Sequence, residues 1–442
     1  MTVPTPPGSP PEISPRRRRD IIDALRRGAV PANGLDALAV GLDRFAAAID
    51  DDLDRVAGGG SVFKAVRGEY GAGKTFFARW LAERAKQRGF AAAEVQISEL
   101  ETPLHRMETV YRRLVEHLNT EQFAASALRP VLDGWIFALE EDVLASGTVS
   151  ESDRDGLDRA VSDLLERRLA EISRSTPGFA AALRGYRTAT AVGDQPTADG
   201  LAAWLAGQPH VAAAARRAAG VKGDLDHFAA LSFLRGLLTV LRDSGHPGLL
   251  LVLDEVETLQ RVRSDSRDKA LNALRQLVDD VHAGRFPGLF LVITGTPAFY
   301  DGPQGVQRLA PLAQRLATDF GGDPRWDNPR AVQLRLPGFT VPALVELGVR
   351  VRRIYGSGRL AGRVDDAYLT ELATSVTGRL GGTVGVAPRI YLKKLVADVL
   401  DRADQFADWD PRRHYQPTVR SDELTPVERN AASAGEVPLD LP

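Results

Sequence analysis

Gly68-Glu69-Tyr70-Gly71-Ala72-Gly73-Lys74-Thr75 is the stretch on which the reading of this chain turns. It follows the apolar run Ser61-Val62-Phe63-Lys64-Ala65-Val66-Arg67 and precedes Phe76-Phe77-Ala78-Arg79-Trp80-Leu81, so the order is strand, glycine-rich turn, helix. That context is the one a phosphate-binding loop requires. Gly68, Gly71 and Gly73 let successive backbone N–H groups point at phosphates, and Lys74 reaches the β- and γ-phosphates. The expected nucleotide-contacting set is Gly68, Glu69, Tyr70, Gly71, Ala72, Gly73, Lys74, Thr75 and Phe76, with Thr75 holding a magnesium ion. The phosphates would lie at a helix N-terminus, where orphan N–H groups and the helix dipole favour anions. The competing reading, a glycine-rich turn with an incidental Lys-Thr, fails to account for the flanking strand and helix. ATP and Mg2+ are therefore the expected cofactors.

A phosphate loop needs a second acidic element, and the most apolar run of the chain supplies one. Leu249-Leu250-Leu251-Val252-Leu253-Asp254-Glu255 reads as a buried parallel strand ending in two carboxylates. Ligands of open α/β sheets bind beyond the C-terminal ends of strands. Asp254 is placed to take the magnesium ion, directly or through water, and Glu255 to orient and polarise the attacking water. Alone, the pair would read equally well as a helix N-cap. A further buried strand, Leu289-Phe290-Leu291-Val292-Ile293-Thr294, runs into Gly295-Thr296-Pro297. Either Thr294 or Thr296 fits a polar sensor between the acidic pair and the γ-phosphate, and either hydroxyl equally fits a strand-end cap.

Outward from these motifs, strands alternate with helices, which argues for a parallel, helix-covered sheet. Residues 1–19 are expected as a disordered tail, proline-rich at first and closing on Arg16 to Arg19, a run suited to solvent or to phosphate. Residues 20–119 and 221–338 form the α/β core. The first part carries helices from Asp20 and over Leu35 to Val56, the phosphate-loop strand, a strand over Phe90 to Ile97 and a helix over Arg106 to Leu118. The second carries a helix over Leu225 to Leu241, the two strands above, helices over Ser266 to Val281 and near Val306 to Thr318, and a fifth strand over Ala331 to Leu336. Residues 120–220, rich in alanine, arginine and leucine with helical periods, form a helical insertion. Residues 339–404 form a small helical domain, with helices over Val341 to Tyr355, Asp365 to Val376 and Val386 to Leu400. Residues 405–442 are expected as an extended tail.

Composition excludes several chemistries. The 442 residues contain no cysteine, so disulfides, cysteine nucleophiles and thiolate metal sites are ruled out, and a reducing cytoplasm suits the chain. The seven histidines show no metal-ligand spacing. No apolar run approaches the ~20 residues needed to span a bilayer, and no signal peptide is read ahead of the first helix. With a formal net charge of −2, nucleic-acid contact would need a local basic patch. Arg16 to Arg19 and Arg350, Arg352 and Arg353 are the candidates for contact with double-stranded DNA. Pairing of these arginines with neighbouring carboxylates is an equal alternative.

Phosphate loop, acidic strand end, polar sensor strand, arginine-bearing helix and a helical lid with Pro388-Arg389 follow one another in an order that resembles an AAA+ ATPase. The origin-recognition branch is the nearest in kind, and the likeness spans residues 30 to 404. More closely, Val30-Pro31-Ala32-Asn33-Gly34-Leu35-Asp36, Arg67 through Phe77, Thr102-Pro103-Leu104-His105 and Gly248 through Glu257 resemble the BrxD family of ATP-binding proteins from bacterial BREX phage-defence systems. The resemblance implies a cytoplasmic ATPase acting beside a DNA methyltransferase and other BREX components. It implies an AAA+ core with a five-stranded parallel sheet, within which residues 120–220 are an addition. It also implies an arginine finger, for which Arg315 is the first candidate and Arg308 the second, and a lid arginine, Arg389. A finger that reaches a neighbour's nucleotide implies a homo-oligomer. Three functions stay open at this point: a motor on DNA or a defence partner, a slow nucleotide-dependent switch, and an ATP-binding structural subunit, the last opposed by the joint presence of Lys74, Asp254 and Glu255.

Overall fold

Apolar runs such as Leu249–Leu253 and Leu289–Ile293 belong in a sheet covered on both faces. β1 (Val62–Arg67), β2 (Ala91–Gln96), β3 (Leu249–Asp254), β4 (Leu289–Gly295) and β5 (Gln333–Arg335) form such a sheet, parallel throughout, in the order β2-β3-β4-β1-β5. In β1 and β4 Val62 stands opposite Phe290 and Arg67 opposite Gly295. The computed structural model describes residues 13–356, 360, 362–379 and 388–418.

Successive strand residues point to opposite faces, and the sheet's two faces feed two separate cores. Ala65, Leu251, Leu253, Leu291 and Ile293 enter one. Val62, Val66, Leu250, Val252, Phe290 and Val292 enter the other. After α1 (Pro15–Arg26) and a 3-10 turn at Leu35–Leu38, α2 (Asp43–Ala57) and α3 (Lys74–Gln87) cover the second face. The first face is covered by α4 (Met107–Glu116), by the helical stretch α5 (Leu128–Ala145), α6 (Arg154–Ser175), α7 (Pro177–Ala191), α8 (Gln195–Leu205) and α9 (Ala213–Ala218), by α10 (His227–Asp243), and by α11 (Ser264–His282). Residues 120–220 share one continuous core with the sheet. Phe233 of α10 is the joint, its ring 5.8, 5.1 and 5.1 Å from those of Tyr111, Phe179 and Trp204.

After β4 come the short helices α12 (Pro297–Asp301) and α13 (Ala310–Arg315). Beyond β5, α14 (Val341–Tyr355), α15 (Asp366–Arg379), α16 (Pro388–Lys393), a π-helical turn at Lys394–Leu400 and α17 (Asp401–Gln405) enclose a third core. Ile21, Ile22 and Leu25 of α1 belong to this core, and Arg26 clamps Asp401 with two bonds of 2.6 and 3.0 Å. Phe76 of α3 packs against both this core and that under the sheet.

Several boundaries differ from those expected, each for a local reason. The chain is helical from Pro15, because Ser14 accepts from the Arg17 N–H at 3.3 Å and proline suits the first helical position. Arg16 to Arg19 thus ride on α1. The helix expected over Leu35 to Val56 is broken by Gly41, whose φ of +74° is left-handed. Near Val306 to Thr318 the chain makes only a 3-10 turn, Val306–Arg308, and α13; Leu309 is extended, and Pro311 fits only the first turn of a helix. A short helix α18 (Pro411–His414), capped by Asp410, interrupts the expected extended tail. Residues 1–12, 380–387 and 419–442, including Gly385-Val386-Ala387, lie outside the described residues. No described helix is long and apolar enough to cross a membrane.

Candidate nucleotide site

The turn after β1 takes the shape its glycines permit. Gly71 and Gly73 have φ of +79° and +89°, and Gly73 leads directly into α3. A side chain at Gly68 would press on Ala72 and Leu336 at 3.1 and 3.3 Å, so the loop sits tight against the end of β5. Lys74 is buried, and its ammonium donates to the carbonyls of Gly68 (2.9 Å) and Glu69 (3.3 Å) with the Tyr70 ring 5.0 Å away. Glu257, in the turn after β3, lies 3.8 Å from that ammonium. Glu257 is 4% exposed and neither of its carboxylate oxygens accepts a hydrogen bond. Burial pushes its carboxyl above the usual range, and Lys74 only partly opposes that.

The ends of β1, β3 and β4 converge beside the loop. Thr75 Oγ1 donates to Asp254 Oδ2 at 3.2 Å, and Thr294 Oγ1 donates to Asp254 Oδ1. Glu255 has left-handed backbone, φ 59° and ψ 41°, a conformation costing about 1–3 kcal/mol outside glycine. It is over-determined by its neighbours: its N–H donates to Asp254 Oδ1 and Thr294 Oγ1 at 3.1 and 3.2 Å, and its carbonyl accepts from Thr258 Oγ1 at 2.9 Å. The turn swings the Glu255 carboxylate towards β2, where Gln96 Nε2 donates to it at 2.8 Å. Of the two threonines considered as sensors, Thr294 is the one bonded to the acidic pair. Thr296 is buried at the start of α12, without a side-chain cap bond.

The arginines are less convergent. Arg315 bonds to Asp279 of α11 and to the Pro311 carbonyl at 2.7 Å. Arg308 bonds to Asp268 and Ser264 of the same helix. Arg389 is half-buried in the first turn of α16, its Cγ 3.6 Å from where a side chain on Gly28 would begin. On α14, Arg350 pairs with Glu346, Arg352 pairs with Asp366 and bonds to the Val364 carbonyl, and Arg353 is exposed.

Three residues of the site escaped sequence reasoning. Gln96 is a polar residue at the C-terminal end of β2, which is a visible signal. Glu257 carries none, since a third carboxylate after Asp254 and Glu255 looks like surface. Glu83 of α3, buried, accepts from the Gly34 and Leu35 N–H groups at 2.6 and 2.7 Å, while Trp80 Nε1 donates to Asp36 at 2.7 Å. These bonds fix the segment around residues 34–36 across the phosphate-loop helix.

The donor set fits both groups expected here. A loop of backbone N–H groups at a helix N-terminus with a buried lysine suits a polyphosphate, and a hydroxyl beside a carboxylate supplies the hard oxygen donors magnesium takes. Comparison with curated proteins finds no relative of the chain. One family model, described as BREX system ATP-binding protein BrxC/D, matches residues 13–419. Glycine loop, buried lysine and acidic strand end are what an ATP-binding protein needs, and the match covers most of the chain: it belongs to the BrxC/D family of BREX system ATP-binding proteins.

Proposed function

We propose that the chain is a magnesium-dependent ATPase of the AAA+ type, which couples ATP binding and hydrolysis to a conformational change on DNA or on a partner protein in BREX defence. The observation that carries the reading is the Thr75 hydroxyl 3.2 Å from Asp254, with Glu255 next in the chain and held by Gln96. The strand order supports it, because β4 with Thr294 lies between the phosphate-loop strand and the acidic strand.

In this reading Lys74 leaves the Gly68 and Glu69 carbonyls to meet the terminal phosphates. Thr75 and Asp254 would hold the magnesium ion, which neutralises charge on the phosphate oxygens. Glu255 orients a water molecule and takes its proton at a carboxylate oxygen. Thr294 keeps Asp254 in place and is the polar sensor. Arg315, released from Asp279, would serve a neighbouring protomer's site, and Arg389 its own.

A slow nucleotide-dependent switch is the second reading, favoured by one observation. Glu255 is engaged by Gln96, and Arg308 and Arg315 are engaged within their own chain, so the resting protein holds its catalytic groups in other bonds. Steady-state phosphate release by wild type and Glu255→Gln, with and without duplex DNA, tests both. Turnover that vanishes in the variant and rises strongly with DNA supports the motor. Turnover that vanishes in the variant but ignores DNA supports the switch. Equal turnover in the two proteins removes Glu255 from the reaction.

A further inference from the structure

Arg235, Thr239, Arg242 and Asp243 recur at helical spacing along α10 and share one face. That face is one wall of a cleft of about 810 Å³, closed on the other side by Gly284, Arg285 and Pro287 in the turn before β4. The cleft lies at the N-terminal ends of the strands. The nucleotide site lies at their C-terminal ends, about 20 Å away along strands of 6 residues.

Carboxylates near this cleft are already taken. Asp243 accepts from the Trp135 indole N–H and from Arg168, and Arg285 pairs with Asp280 at 2.6 Å. Among the described residues no hydrogen bond or ion pair reaches the guanidinium of Arg235 or Arg242. Unpaired arginines on an open surface are simply hydrated. Arg235 differs, because its Nε is shut off from solvent with no acceptor while its guanidinium lies 5.3 Å over the Phe286 ring. A buried donor in that state calls for a partner.

Arg242 is exposed, and its side chain runs past two glycines that make room for it. A side chain at Gly288 would fall 2.6 Å from its Cδ, and one at Gly59 3.1 Å from its Nη2. The Gly58-Gly59-Gly60 run before β1 therefore does more than end α2: it leaves room for a guanidinium. Two guanidinium groups on one helix face without a carboxylate partner, one of them with a buried donor, suit an anion with several oxygens.

We propose that this cleft is a second anion site, binding a phosphate group carried either by a nucleic-acid backbone or by a small phosphorylated molecule. It is independent of ATP hydrolysis. It is also a better place for phosphate than Arg350 and Arg352, which have carboxylate partners within the lid.

The test uses the full chain with its nucleotide site filled by a non-hydrolysable ATP analogue. Two probes are titrated, a fluorescent DNA duplex by anisotropy and inorganic pyrophosphate by calorimetry. Two variants are compared with wild type: Arg235→Gln/Arg242→Gln, and Thr239→Glu. The second leaves both arginines in place and adds a carboxylate beside them, so a loss there cannot come from missing arginine packing. At least one probe should bind about tenfold or more weakly to both variants. If the duplex is affected, the slope of log affinity against log salt should fall by about two in the double variant, close to one per phosphate released. Loss confined to pyrophosphate assigns the site to a small phosphorylated ligand. Wild-type affinity for both probes in either variant, or no binding of either probe to wild type, overturns the proposal.

Discussion

Glu83→Gln should loosen the segment that crosses the phosphate-loop helix while leaving the sheet intact. In the wild type one buried carboxylate accepts from two backbone N–H groups, Gly34 at 2.6 Å and Leu35 at 2.7 Å. Hydrogen bonds to a charged acceptor contribute about 1.5–3 kcal/mol each and neutral ones about 1 kcal/mol. The glutamine keeps one neutral acceptor and turns an NH2 towards the other N–H. The net loss is roughly 3 kcal/mol, which is about two decades in the local opening equilibrium. Hydrogen exchange followed by mass spectrometry on a peptide covering residues 30–38 reads that opening directly. Protection there should fall by about a hundredfold, while peptides from β3 and β4 keep theirs. A change smaller than about tenfold, or an equal change in the strands, would refute the view that Glu83 is the local anchor.

Arg315→Ala should keep ATP affinity and lose about a thousandfold in turnover, and mixing it with Glu255→Gln protein should restore partial activity; turnover independent of protein concentration, with no recovery on mixing, would exclude a finger supplied by a neighbour. Lys64 of β1 forms a buried pair with Asp52 at 3.3 Å and donates to the Arg330 and Ala331 carbonyls. Lys64→Met should therefore cost about 3–5 kcal/mol, and Asp52→Asn/Lys64→Met should be more stable than Lys64→Met alone in chemical denaturation; an additive double variant would show that the stranded charge is not the cause. Burial lets the folded chain keep a proton on Glu257 that the unfolded chain gives up near 4.5. Stability from this group thus falls as pH rises from that value through the folded one. Glu257→Gln has no such proton, so its melting temperature should gain on that of wild type as pH rises above the ordinary carboxyl range; a constant gap would count against a buried acid.

Most of the sheet was legible, because β3 and β4 are apolar on both faces and nothing but a covered strand accommodates Leu249 to Leu253. Lys74, Thr75, Asp254 and Glu255 were legible as a set, since their spacing from two strand ends puts them at one edge. The left-handed backbone of Glu255 was not, as its cause lies in Thr294 and Thr258, distant or unremarkable in sequence. The break at Leu309 was written in Pro311. The addition of α1 to the lid core was unreadable, because Ile21 and Ile22 form an apolar stripe that says only that something covers it.

The clasp between α1 and the lid sets a timetable for folding. Arg26 and its partner Asp401 are 375 residues apart in sequence. At a synthesis rate of about 5–20 residues per second, roughly 20 to 75 s separate the emergence of the two. During that interval Ile21, Ile22 and Leu25 have no core to enter, although α2, α3 and the sheet can already form. α1 is thus made long before the core it enters, and its apolar face is open to chaperones, or to the same helices of another nascent chain, until the helices around Asp401 emerge.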